Sequence, residues 1–434
     1  MRKLPILLSL VLICAFTGCP EQKPAPHQPG ESEPVPAEQV PAKEAAPAKV
    51  EPSTEEAKDA VKLITEQNGK YELTPAGTLK SLTVDGAALD EAAIDLFAKQ
   101  SNLEQLQITN FRSLNDAMVE KLTGLKKLKS LKLTNSGISD AAMKTIVASF
   151  PSLVELDISS NTLLTDGALK EVAKLNDLEQ LTMMYCDFSE FGILDISEMP
   201  KLKMLDIRAN MQVGNGGMSY IANLPALKSF KHMCTAVDDF GMESLSKSKG
   251  LETIEIQDFN ITDRAGEFIR QFENLKNLIV FRCQGFGSGG MNELKGMKLT
   301  RLTLRDLPSV DDTGMEAFRE LPTLRRLFLH ELNSVSDAGM MNLVYLKDLE
   351  LLDIWEVPIT DKSMETISKL ANVKTLSIRS TRITDASVDM LLQMPKLESL
   401  TITDNGQVTP VGLEKLKKSN KFKKLVTEAT VPKR

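Results

Sequence analysis

Apolar residues in the order L-x-x-L-x-L recur fourteen times along this chain, at intervals of 24 or 25 residues. The segments start at Leu79, Leu103, Leu128, Leu153, Leu178, Leu202, Leu227, Leu251, Leu275, Leu299, Leu324, Leu349, Val373 and Leu397. In the unit that begins at Leu349, Leu352 and Ile354 alternate with their neighbours as in a short strand whose every second side chain faces a core. Ile359 packs the turn, and Met364, Ile367 and Leu370 at three-residue steps mark one face of a helix. Between them Thr360-Asp361 supplies a side-chain oxygen for the free N–H groups of the first helical turn and a negative charge that suits its dipole. The pair recurs at Ser139-Asp140, Thr165-Asp166, Thr262-Asp263, Ser336-Asp337 and Thr384-Asp385, so these carboxylates read as caps rather than catalytic acids. No unit of this size buries its own apolar face. The units must therefore stack into an α/β solenoid, which grows by addition and has no single-core size limit.

The ends of the chain break the pattern. Residues 57–78 lack the repeat; Ala60, Val61 and Ile64 followed by Asn68-Gly69-Lys70 read as a short helix, a turn and an edge strand, an N-terminal cap over the exposed core end. The repeats occupy 79–421, and Phe422-Lys423-Lys424-Leu425 opens a last strand without a helix, giving a C-terminal cap strand and tail over 422–434. Lysines 415, 417, 418, 421, 423 and 424 read as side chains that keep this edge soluble and unpaired, in preference to a nucleic-acid or anionic-lipid patch. Residues 1–18 combine Arg2 and Lys3 with the apolar run Leu4 to Phe16, a secretory signal peptide too short to span a membrane. Residues 19–56 hold nine of the chain's twenty prolines and almost nothing large and apolar, which makes them a disordered tether with a reach of roughly 35 Å. Eight Glu against three Lys in that stretch carry most of the net charge of −7, so the repeats themselves are nearly neutral and the acidic balance says little about a partner.

The repeat pattern L-x-x-L-x-L-x-x-(T/N/C)-x-I-(S/T)-D-x-x-(M/L) resembles the cysteine-containing class of leucine-rich repeat over about residues 79–426. That resemblance implies a horseshoe with parallel strands on the concave face, helices on the convex face and an inner arc of roughly 65 Å. The same class occurs in F-box ubiquitin-ligase receptors, but with a signal peptide and no F-box segment this chain is more similar to extracytoplasmic repeat proteins of bacteria such as planctomycetes. Thr17-Gly18-Cys19, with Phe16 where Leu is usual, resembles the lipobox of bacterial lipoproteins, which implies acylation at Cys19 and attachment to a membrane of the cell envelope. Pro20, standing where Asp would favour inner-membrane retention, tilts the expectation to the outer membrane. Fold resemblance of this kind conveys no activity.

Most chemistry-bearing residues have structural explanations. Met143, Met218, Met242, Met291, Met315, Met340 and Met364 share one inward helix position and read as core. Cys186, Cys234 and Cys283 fall in alternate repeats, so neighbours lie about 10 Å apart, beyond the roughly 7 Å Cα limit for a disulfide. The repeat class places Cys186 and Cys283 under the turn as buried, inert thiols. His27 is in the tether, His232 takes the place of a strand's third apolar residue, and His330 faces the concave side. No His pair has metal-ligand spacing and no Ser or Cys nucleophile has an evident His, so the chain reads as a non-enzyme with no cofactor. The run from Gly285 to Gly290 lacks the strand context and Lys of a phosphate-binding loop and reads as a distorted turn.

Alternation places residues two, four and six after each leading Leu on the concave face. In the first four repeats these are small and polar, such as Ser81, Thr83, Gln107 and Ser130. Later repeats place Met184, Met204 and Met233 there, and then a denser group: Ile279, Phe281, Arg301, Arg305, Arg326, Phe328, His330, Leu351, Asp353, Trp355 and Arg379. Large apolar groups on a wet sheet reduce solubility without feeding the core, and Trp and Arg are the residues that most often dominate interfaces. This patch is expected to bind a protein or peptide; nucleic acid is not an expected partner. Lateral stacking without a ligand, in an envelope scaffold or spacer, explains the same residues, and carbohydrate binding on Trp355 and Phe328 is a further alternative.

Overall fold

The computed structural model describes residues 50–428; the signal peptide, Cys19, His27 and most of the tether lie outside the described residues. Each repeat contributes one strand to a continuous sheet whose spatial order is the order of the chain. Its edge is β1 (Lys70–Leu73), antiparallel to β2 (Leu79–Asp85). From β2 onward all pairs are parallel, through β3 (Gln105–Thr109), β4 (Ser130–Thr134), β5 (Glu155–Asp157), β6 (Gln180–Thr182), β7 (Met204–Asp206), β8 (Ser229–Met233) and β9 (Thr253–Gln257). The series continues with β10 (Asn277–Phe281), β11 (Arg301–Arg305), β12 (Arg326–His330), β13 (Leu351–Trp355), β14 (Thr375–Arg379), β15 (Ser399–Thr403) and β16 (Lys424–Val426). Register puts like on like: Leu278, Leu302, Leu327, Leu352, Leu376 and Leu400 form one buried row, and Val280, Leu304, Leu329, Ile354, Ile378 and Ile402 the next. The other face of most strands is half-exposed, as the two-residue period requires, with Ser130, Asp206 and Thr403 buried and Gln105, Gln180 and Arg326 exposed.

After nearly every strand the chain leaves the sheet through a non-glycine residue in the left-handed region, among them Asn110 (φ 61°), Arg282 (φ 52°), Glu331 (φ 55°) and Glu356 (φ 52°). Such residues are uncommon, and here the stacked turns on either side hold them. Next comes the position read as Cys, Asn or Thr. Asn161 is fully buried and donates from Nδ2 to the carbonyls of Leu133 (2.7 Å) and Ile158 (2.8 Å). Asn405 repeats the arrangement on Ile378 and Thr403. Cys186 and Cys283 occupy it as buried free thiols, raised by burial to pKa values of about 11 and about 12.

The helix caps do more than the sequence suggests. Thr360 accepts from the N–H of Lys362 at the start of helix Asp361–Ile367, so the hydroxyl is the cap. Asp361 instead reaches the following repeat, where it accepts from Thr384 N (2.9 Å) and Thr384 Oγ1 (2.7 Å). The same two-pronged contact joins Asp116 to Ser139, Asp140 to Thr165, Asp166 to Ser189, Asp239 to Thr262, Asp312 to Ser336, Asp337 to Thr360 and Asp385 to Thr409. Each cap is thereby itself capped by its neighbour, and the row of carboxylates couples helix to helix. The inward Met row, Met143 through Met364, is fully buried.

At the N-terminal end helix Glu55–Glu66 lies beside the first repeat. Thr54 caps helix Glu55–Glu66 by accepting from Ala57 N (3.1 Å), Glu55 and Glu56 suit the positive end of its dipole, and Gln100 Nε2 holds the carbonyl of Glu56 (3.1 Å). Ala57, Ala60 and Ile64 from this helix are buried over the end of the stack. At the other end Lys421 Nζ donates to the carbonyls of Leu391 (3.1 Å), Leu392 (2.6 Å) and Met394 (2.5 Å), closing the C-terminus of helix Ala386–Gln393. Lys415, Lys418 and Lys423 pair with Asp389, Glu414 and Glu398. These lysines finish the fold locally.

Candidate binding surface on the inner sheet

The residues singled out from the concave rows lie on five consecutive strands. Ile279 and Phe281 are on β10, Arg301 and Arg305 on β11, Arg326, Phe328 and His330 on β12, Leu351, Asp353 and Trp355 on β13, and Arg379 on β14. All are half-buried except Arg326, which is exposed, and all belong to the face opposite the core rows. Parallel register sets them in three rows: Asn277, Arg301, Arg326 and Leu351; Ile279, Thr303, Phe328 and Asp353; Phe281, Arg305, His330, Trp355 and Arg379.

Within the third row the rings and guanidinium groups alternate. The Arg305 guanidinium lies 4.4 Å from the Phe281 ring centre and 5.1 Å from that of Trp355, and Arg379 covers Trp355 at 5.5 Å. Arg282, from the left-handed turn position, adds a second cation against Phe281 at 4.6 Å. Between the aromatics, His330 meets Phe328 and Trp355 edge-on at 6.1 and 5.8 Å. Carboxylates complete the charges: Arg282 pairs with Asp258 (2.7 Å), Arg305 with Glu331 (3.0 Å) and Arg379 with Asp353 (3.0 Å). Asp353 is held below its ordinary pKa; burial alone would raise it, but His330 and Arg379 together outweigh burial. Lateral packing is thus present, and it fixes the rotamers of Phe281, Trp355 and the arginines around them.

Several members of this surface escaped the alternation rule. Asp258, Arg282 and Glu331 follow their strands at left-handed positions, so the turn returns their side chains to the inner face. Thr303, small and polar, sits in register between Ile279 and Phe328. In earlier repeats Arg208 bridges Asp206 (2.7 Å) and Glu255 (3.1 Å) beside the sulfur of Met184.

Other candidate chemistry resolves into structure. His232 is fully buried, with Nδ1 3.2 Å from the Ile207 carbonyl and Nε2 2.8 Å from that of Val213; burial lowers its pKa to about 4. In the glycine-rich turn the N–H groups of Gly287 (2.7 Å) and Gly290 (2.9 Å) donate to the Asp263 carboxylate, the place a phosphate would need. A Cβ on Gly290 would stand 2.5 Å from the Phe286 ring, which is why the turn is glycine there. Among the described residues no group of three or more His, Cys, Asp or Glu is placed to hold a metal ion, and no helix is long and apolar enough to cross a membrane.

A family model described as "Leucine Rich repeat" matches residues 393–417. The unbroken row of parallel strands, backed by buried Leu ladders and short helices, extends that one match over the whole stack. The chain has the leucine-rich-repeat fold. An internalin from Listeria monocytogenes superposes on it with a TM-score of 0.50 at 19% identity, covering 80% of this chain and 94% of the internalin. A chain of the yeast Rad7–Elc1 complex does so with a TM-score of 0.51 at 19% identity, covering 74% of this chain and 85% of the other. At such identities the likeness concerns the horseshoe and not what lines it.

Proposed function

We propose that this leucine-rich-repeat chain is a non-catalytic binding protein that takes a protein or peptide on the concave face over β10 to β14, while Cys19 carries a lipid that holds it at the outside of a bacterial membrane. The observation that carries the reading is the concentration of Phe281, Phe328, Trp355 and their arginines on one stretch of sheet, against small polar side chains on the first strands. A stiff sheet whose anchors are already fixed by neighbours loses little conformational entropy when a partner arrives.

The test is a pull-down from the native envelope with the full chain and with the combined Phe281→Ala, Phe328→Ala, Trp355→Ala variant, after circular dichroism shows both folded. Retention of one protein by the wild type and its loss from the variant is the expected result. Equal retention by both, or by neither, overturns the concave site and favours a scaffold with lateral contacts. Metabolic labelling with a fatty-acid analogue, compared with Cys19→Ser, tests the anchor.

A further inference from the structure

Arginines on the inner sheet have carboxylate partners with two exceptions. Arg208, Arg282, Arg305 and Arg379 each form an ion pair at 2.7 to 3.0 Å. Arg301 and Arg326, side by side in register at the starts of β11 and β12, form no ion pair among the described residues; Glu255 acts on Arg301, and Arg326 on Glu350, only at longer range. Like charges directly opposite on neighbouring strands repel, so this pair is a standing cost to the sheet. Burial and the Arg326 charge both push the Arg301 guanidinium below its ordinary pKa. Arg301 Nε and Thr303 Oγ1 are buried with no hydrogen-bond partner, as are Arg379 Nε and His330 Nε2 along the third row; only at Arg301 is the guanidinium also without a carboxylate. Arg301 also lies 4.7 Å above the Phe328 ring, which fixes the guanidinium plane and leaves its edge for an acceptor.

We propose that Arg301 and Arg326 receive a carboxylate side chain from an acidic peptide segment of the partner, with an apolar neighbour of that segment seated on Phe328. The assignment rests on the concave-face reading and names the chemistry of its ligand. An incoming carboxylate supplies the counter-charge this pair lacks, relieves the Arg–Arg repulsion, and suits the planar fork of a guanidinium better than a neutral group does.

The experiment pans a phage-displayed random dodecapeptide library on the full chain, then measures affinities of the best synthetic peptide and its Glu→Gln or Asp→Asn analogue. Enriched peptides are expected to carry Asp or Glu beside an apolar residue. Binding should weaken about tenfold or more in Arg301→Gln or Arg326→Gln, be partly kept in Arg301→Lys, be unaffected by Arg382→Gln, and fall with added salt. Enrichment of neutral or basic peptides whose binding still needs Phe328 overturns the carboxylate and leaves the concave site standing. Binding of polygalacturonate in preference to any peptide overturns the peptide. Failure to enrich any peptide that depends on Phe328 or Trp355 removes the concave reading and this assignment together.

Discussion

Replacing Asp361 with alanine tests whether the repeats are coupled through their helix caps. Its carboxylate accepts from the backbone N–H of Thr384 (2.9 Å), from Thr384 Oγ1 (2.7 Å) and from Ser387 Oγ, and Ser387 is fully buried. Alanine strands all three donors at once. Hydrogen bonds to a charged acceptor contribute about 1.5–3 kcal/mol each but are far from additive, and the two hydroxyls can rotate, so a loss of about 2–4 kcal/mol is expected. Asp389→Ala is the control: Asp389 is 63% exposed and pairs only with Lys415, so its loss should be under about 1 kcal/mol. Urea denaturation followed by circular dichroism and by Trp355 fluorescence gives both numbers. The pH dependence adds a second check. Burial would raise the Asp361 pKa, but the hydrogen bonds from Ser387 and Thr384 outweigh it and hold the group below its ordinary value. The unfolded chain therefore takes up this proton first, near pH 4, and the stabilisation present above that is lost as pH falls through the lower native value. Wild type and Asp361→Ala should converge in stability as the solution is acidified from about pH 7 toward pH 3. A loss no larger than that of Asp389→Ala, or a difference independent of pH, would refute coupling through the carboxylate row.

Two further outcomes concern buried groups. His232, lowered to about 4 by burial, resists protonation in the native state while the unfolded ring takes a proton near pH 6.5. Stability should then fall by up to about 3 kcal/mol between those pH values, and His232→Leu should abolish that portion of the slope while costing about 1–2 kcal/mol at pH 7 through the orphaned Val213 carbonyl; parallel urea titrations in the two proteins that show the same slope rule the explanation out. Cys186, Cys234 and Cys283 are buried with raised pKa values. A disulfide reagent such as DTNB should label none of them in the folded protein at neutral pH and all of them in denaturant, and rapid labelling of the native state would show that the turns open far more readily than their packing implies.

How much of this was legible in the sequence depended on whether the cause was local. Strand and helix positions were readable because the two-residue and three-to-four-residue periods act within one repeat, and Leu352 and Met364 lie where those periods put them. The place of Cys186 beneath the turn came from the resemblance to a repeat class rather than from periodicity, and Asn161 fills the same position. What stayed hidden spans repeats. Asp361 looks like a cap for its own helix, and only the stacking distance shows that it serves Thr384 instead. Arg305 with Glu331 and Arg379 with Asp353 are each separated by 26 residues and meet because strands in register bring them together. Arg282 and Glu331 were missed for a conformational reason: alternation predicts sidedness only while the backbone is extended, and a left-handed residue resets it.

Those same ion pairs bear on the choice between a ligand site and lateral packing. A guanidinium has two faces and an edge. Around Phe281 and Trp355 the faces of Arg305 and Arg379 are against rings and their charges against Glu331 and Asp353, although Arg379 Nε and His330 Nε2 are themselves buried without a hydrogen-bond partner. At Arg301 one face is taken by Phe328 and no carboxylate pairs with the group, while Arg326 beside it is exposed and likewise without an ion pair. Packing between strands accounts for the ion pairs and ring contacts of the first arrangement. It gives no account of the second, because a sheet selected only for lateral cohesion would gain by placing a carboxylate or a neutral side chain at either position. The proposed ligand site therefore rests on two observations that packing treats differently: the aromatic cluster, which lateral stacking also explains, and the carboxylate missing at Arg301 and Arg326, which it does not.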